Sequence, residues 1–262
     1  MGLDRQPLSS PSDLLSLAGR VAVVTGVSCD IAASTAVALA TAGARVGVVD
    51  PDEGAAAAAV RRVSDAGGVA RPITLDPAAD SRAVEAAFGR LVATWGRLDV
   101  LVNATDLVRR APVEQLDPPA LHELLEANLL SAVACTRAAV PHMKARGSGR
   151  ILCGTSAWAR TGAAGLSGYA AAKAALVGLT RAWARELGPA GITANCVAPG
   201  LVGEAADQAL AADEVQRQLE RIPARRPGTP DEVAATYLFL ASELASFVNG
   251  AVVGVDGGLL LY

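Results

Sequence analysis

The sequence predicts an α/β fold: one doubly wound domain built on a seven-stranded parallel sheet, with helices on both faces. Three observations predict it. Short apolar runs alternate with Ala-rich runs along the chain. The apolar runs are continuous rather than alternating in polarity, as in strands covered on both sides. The alternation runs from Arg20 to Asp256 with no linker composition to split it.

The strands are expected at Arg20 to Thr25, Arg45 to Asp50, Val69 to Leu75 and Leu98 to Asn103. They continue at Arg150 to Thr155, Ile192 to Val197 and Ala251 to Asp256. Between them lie helical stretches, among them the run Gly54 to Ala59, a long helix over 117–145 and another over 168–187. Residues 1–16, with Pro7, Pro11 and several serines, read as a flexible tail, and the domain occupies 17–262. Residues 201–229 form a polar insertion after the sixth strand, where ligand access is commonly shaped.

Composition excludes several function classes. With 52% hydrophobic residues and a net charge of −3, the chain offers no basic surface for nucleic acid. No apolar run approaches the ~18 residues of a membrane span, and the amino terminus lacks the pattern of a secretory signal. Cys29, Cys135, Cys153 and Cys196 are scattered, as suits reduced thiols in a cytoplasmic protein. Cys153 reads as inert strand packing. His122 and His142 lack a third ligand nearby, so no metal site is expected.

The first strand ends in Thr25-Gly26-Val27-Ser28-Cys29-Asp30-Ile31-Ala32, a turn opening a helix. Such a turn presents backbone N–H groups to a pyrophosphate. Asp50 closes the second strand, where a carboxylate accepts hydrogen bonds from a ribose and repels a 2′-phosphate. With no Arg or Lys in residues 26–32, this favours NAD over NADP.

The chemistry is expected at Ser156, Tyr169 and Lys173. Tyr169 and Lys173 lie four apart on a helix and therefore on one face. An ammonium beside a phenol favours the phenolate and should bring the tyrosine pKa down toward neutrality, poising it for proton transfer. Ser156, at a strand's carboxyl end, can meet the same oxygen. Trp158 follows in a loop rimming the site.

From Ala18 to Leu259 the sequence resembles the classical short-chain dehydrogenase/reductase family, a Rossmann-like fold. The matching pieces are Thr25-Gly26, Leu98 to Asn103, Asn128-Leu129, Ser156, Tyr169 with Lys173, Asn195 to Gly200, Arg226 to Ala234 and Val255 to Gly258. The resemblance implies an NAD(H)-dependent oxidoreductase interconverting a secondary alcohol and a ketone. It implies Tyr169 as the acid/base and Lys173 as the group that lowers its pKa and bonds the nicotinamide ribose. Ser156 would hold the substrate oxygen, and Asn128 would position a water in a proton relay. The implied cofactor contacts are Gly26, Ser28, Ile31, Asp50, Asp76, Asn103, Tyr169, Lys173, Pro199 and Val202; Trp158, Asp106 and Glu204 would border the substrate. The resemblance also implies a homodimer or homotetramer joined through 117–145 and 168–187.

The sequence departs from the family around the cofactor. Asp30 and Ala32 replace two glycines of the turn, and Pro77, without an N–H, follows Asp76. Ala104-Thr105-Asp106 follows Asn103 in place of Asn-Ala-Gly, and Glu204 stands where a threonine is usual. Three added carboxylates would weaken dinucleotide binding, unless they turn to solvent. Two further readings follow: a cofactor-independent enzyme using the same four residues for isomerisation, dehydration or cyclisation, and a catalytically silent subunit.

Overall fold

In the computed structural model, residues 10–78, 80–203 and 212–260 are described. Seven parallel strands form one sheet: β1 (Val21–Thr25), β2 (Arg45–Asp50), β3 (Val69–Thr74), β4 (Val100–Asn103), β5 (Gly149–Gly154), β6 (Ile192–Pro199) and β7 (Val252–Val255). Their spatial order is β3-β2-β1-β4-β5-β6-β7. The order reverses between β1 and β4, and the crevice beyond their carboxyl ends is where such sheets hold ligands.

Side chains alternate across the sheet and bind a helical layer to each face. Ala22, Val24, Val46, Val48, Val100 and Val102 share one core with α2 (Asp30–Thr41) and the late helix α10 (Pro230–Ala241). Val21, Val23, Leu101, Ile151 and Cys196 share the other with α4 (Ser81–Trp95), α6 (Ser131–Arg146) and α8 (Ser167–Leu187). Each fully buried Val or Leu contributes roughly 1.5–3 kcal/mol of transfer free energy. The central strands are covered on both faces, as their composition predicts; β3 is not. It lies at one edge of the sheet, mostly exposed, which is why Pro72 is tolerated within it.

The segment read as a tail contains a short helix, α1 (Pro11–Leu15), capped by Ser10; residues 1–9 lie outside the described part. The expected long helix over 117–145 is α5 (Pro118–Leu125) joined to α6 by a π-helical turn, Glu126–Leu130. The remaining helices are α3 (Glu53–Asp65), α7 (Trp158–Thr161) and α9 (Ala212–Arg221). No described helix is long and apolar enough to cross a membrane.

Candidate active site

The loops after β1 and β4 meet at the switch in strand order. Gly26 adopts φ +73°, and a Cβ there would lie 2.5 Å from the Thr105 Cα. Glycine is therefore required both for the turn and for the close approach. The turn feeds α2, whose first position follows Cys29; no side chain caps this helix. Its first N–H groups, among them those of Ile31 and Ala32 facing the Cys29 sulfur, point where a helix N-terminus can meet an anion.

A cleft of about 650 Å³ runs over this junction, lined by Gly26, Ser28, Asp50, Asp76, Pro77, Thr105 and Asp106 among others. Asp50 is buried at the end of β2, accepting the Ser28 N–H at 2.9 Å and the Asp52 N–H at 3.0 Å. Asp76 accepts the Ala78 N–H at 2.9 Å. The cleft, uncapped helix and Asp50 fit a dinucleotide.

A smaller pocket of about 90 Å³ adjoins it, lined by Ile31, Ser156, Trp158, Tyr169, Pro199 and Val202 among others. The sequence places these together for simple reasons. Ser156 follows β5, anchored where the Ala157 N–H donates to Pro199 O at 2.9 Å. Tyr169 and Lys173 share the buried face of α8. Trp158 meets the Tyr169 ring edge-on, with centroids 6.2 Å apart.

Lys173 is 1% exposed; its ammonium donates to Thr105 O at 2.8 Å and Gly154 O at 3.1 Å and is ion-paired with Asp106 Oδ1 at 3.0 Å. The same Asp106 oxygen accepts the Tyr169 O–H at 2.9 Å. This overturns the expected acidification of Tyr169. Burial, and then the charge and hydrogen bond of Asp106, raise its pKa well above the ordinary value, while the Ser156 hydroxyl acts in the opposite sense. Lys173 is committed to a carboxylate that counters its effect on the phenol.

Asn128 sits in the π-helical turn, an irregularity frequent at functional sites. It accepts the Leu107 N–H at 3.0 Å and donates to Leu107 O at 2.8 Å and Leu124 O at 3.1 Å. Its amide thus fastens the loop after β4 to the helix beneath the site.

Some predicted residues lie elsewhere. Asn103 is buried, its amide donating to Thr136 Oγ1 at 3.2 Å, so its side chain belongs to the core. Asp30 borders both the cleft and the pocket, but its side chain is 70% exposed and 3.7 Å from Arg62, and Ala32 is fully buried against the sheet. Of the three carboxylates expected to crowd the site, Asp106 faces inward, Asp30 leans out and Glu204 lies outside the described residues.

Two cleft residues escaped sequence reasoning. Cys29 borders both parts of the cleft, its pKa raised by burial and then by Asp106. Arg110 also lines the cleft and pairs with Glu214 of α9 at 2.8 Å, joining the loop after β4 to the insertion. Its position along an irregular loop carried no periodic signal.

A family model described as enoyl-(acyl carrier protein) reductase matches residues 26–260. The chain is 41% identical over 244 residues to cis-4-hydroxycyclohexanecarboxylate dehydrogenase of Sinomonas cyclohexanicum, covering 93% of this chain and 97% of that protein. It superposes on a gluconate 5-dehydrogenase from Burkholderia cenocepacia J2315, in complex with NADP and tartrate, with TM-score 0.89 and 36% identity, covering 95% of this chain and 98% of that one. It superposes also on a 7α-hydroxysteroid dehydrogenase complexed with NADH and 7-oxo glycochenodeoxycholic acid, with TM-score 0.90 and 31% identity, covering 95% and 98%. The chain belongs to the classical short-chain dehydrogenase/reductase family of oxidoreductases.

Proposed function

We propose that the protein interconverts a secondary alcohol and a ketone with NAD(H), using Tyr169 as the proton-transferring group. The observation that carries this reading is the meeting of Ser156, Tyr169 and Lys173 beside a cleft at the carboxyl ends of β1, β4 and β5. Relatives named as dehydrogenases of hydroxylated rings and polyols support it.

Gly26, the amides opening α2, Asp50 and Lys173 would hold the dinucleotide. When bound, the nicotinamide supplies the hydride for reduction or accepts it in oxidation. Ser156 holds the substrate oxygen against Tyr169. In reduction the phenol O–H breaks, the alcohol O–H forms, and the phenolate regains its proton from solvent. In oxidation the proton moves the other way. Of the insertion 201–229, in which 204–211 lie outside the described residues, the part from α9 on would border the substrate, tethered to the loop after β4 by Arg110 and Glu214.

NAD(H) is favoured because the carboxylate of Asp50 borders the cleft, where it suits ribose hydroxyls and opposes a 2′-phosphate. The neighbour that holds NADP makes this choice a matter for direct measurement. Titration of NADH and NADPH against the purified protein, read by nicotinamide fluorescence, tests it. Micromolar NADH binding, at least tenfold tighter than NADPH, is expected (about 1.4 kcal/mol). Tighter NADPH binding would overturn the preference, and silence from both would overturn the oxidoreductase reading. Supplied with NAD+, which takes up the hydride to become NADH, the protein should oxidise simple cyclic secondary alcohols such as cis-4-hydroxycyclohexanecarboxylate or close analogues.

A further inference from the structure

We infer that Asp106 is a positioning residue for Tyr169: its carboxylate engages the phenol O–H and the Lys173 ammonium together, holding the tyrosine as a proton donor in the resting site. This deepens the proposed function and rests on Tyr169 as its proton-transferring group.

The geometry leaves little slack. One oxygen, Oδ1, is 2.9 Å from Tyr169 Oη and 3.0 Å from Lys173 Nζ. The phenol has one hydrogen to donate, and it goes to Asp106. The ammonium donates to the carbonyls of Thr105 and Gly154 and is ion-paired with the carboxylate. Asp106 also borders both the larger cleft and the smaller pocket. It therefore occupies the junction that a substrate oxygen must share. Its side chain remains 31% exposed, whereas that of Lys173 is 1% exposed. The carboxylate is open to the cleft; the ammonium is enclosed.

The chemical consequence has a definite sign. A carboxylate accepting the phenol proton stabilises the neutral form, and it repels the phenolate that deprotonation would create. The surroundings do not reverse this. Cys29, from the turn after β1, would also oppose a phenolate if it ionised. Asp30 is drawn out toward Arg62, Asp50 is tied to two backbone amides, and Asp76 accepts the Ala78 N–H. Arg110 is engaged with Glu214. Lys173 lies 5.7 Å from the phenol's ring centroid, and Asp106 meets it directly. A tyrosine held in this state is ready to protonate a carbonyl oxygen, and it loses its proton for alcohol oxidation only at higher pH.

Ultraviolet difference titration of the free protein tests this without any substrate. The Tyr169 phenolate step is isolated by subtracting the matching Tyr169→Phe protein. With Asp106→Asn, that step should appear at least about one pH unit lower than in the unmodified protein, a tenfold loss of proton affinity. Asp106→Ala should shift it the same way. A step that stays in place, or no Tyr169 step within the stable pH range of either variant, would overturn the assignment. So would loss of folding in both variants by circular dichroism, since the contact would then serve the fold. The readout is independent of cofactor: absent NADH binding would strike the proposed function and leave this titration standing.

Discussion

Ser28 donates its backbone N–H to the Asp50 carboxylate at 2.9 Å, which ties the turn after β1 to the end of β2. Asp50 also accepts the Asp52 N–H, so it braces the two loops that border the cleft. Removing this carboxylate has two separable effects: a looser turn and the loss of a ribose acceptor. Asp50→Ala should weaken NADH binding about tenfold or more, while NADPH binding weakens less or improves. Fluorescence titration of both nucleotides gives the ratio. Equal losses for the two would assign Asp50 to bracing the loops alone.

Asn128 makes three hydrogen bonds through one buried amide, two of them to the backbone of Leu107. Asn128→Ala would strand the Leu107 N–H and C=O away from water and leave a small cavity. The cost should be about 3 kcal/mol in denaturant unfolding. Asn128→Asp should be worse than Ala, because its second oxygen would face the carbonyls of Leu107 and Leu124. An Asp variant as stable as the native protein would contradict the hydrogen-bond assignment.

Much of this arrangement was legible in the sequence because it is local or periodic. Continuous apolar runs located the strands to within a residue or two, and the spacing of Tyr169 and Lys173 put both on one buried helix face. The exposure of β3 was not legible, since an apolar run does not say whether it ends up central or at an edge. Nor was the direction of the added carboxylates. Asp30 and Asp106 look equivalent as charges near a cofactor, yet tertiary contacts send one toward Arg62 and the other onto Lys173. That difference reverses the expected effect on Tyr169. The π-helical turn at Asn128 was hidden for the same reason: the bonds that sustain it come from a loop 21 positions away in sequence.

Stability should decline in alkali, from buried thiols. Burial pushes Cys135 and Cys196 from 9.0 up to about 12. Folded pKa values above the unfolded ones mean the native state holds these protons more tightly. Their contribution is therefore complete below pH 9 and lost as pH rises toward 12. By the top of that window the loss amounts to roughly 4 kcal/mol per thiol at most. Tyr169 and Tyr237, both raised by burial, act in the same direction. Urea midpoints measured at successive pH values should fall above pH 9, and less steeply in Cys135→Ala. A flat profile between pH 9 and 11 would show that these thiols are hydrated in the native state.

Tyr169 and Lys173 differ in what their removal should do. Tyr169→Phe deletes a single hydroxyl; the ring keeps its edge-on contact with Trp158, and Asp106 keeps its ion pair with Lys173. Turnover should drop by about 10²–10⁴, the range of a lost acid/base group, with native circular dichroism. NADH binding should change little. Lys173→Met is more disruptive, because it leaves Asp106 without its cation and the carbonyls of Thr105 and Gly154 without a donor. This variant should lose both stability and NADH affinity. Any remaining oxidation should move to higher pH, since a phenolate would then face Asp106 with no positive charge beside it. Retained turnover in Tyr169→Phe would remove the proton-transfer role from this residue, whatever the cofactor proves to be.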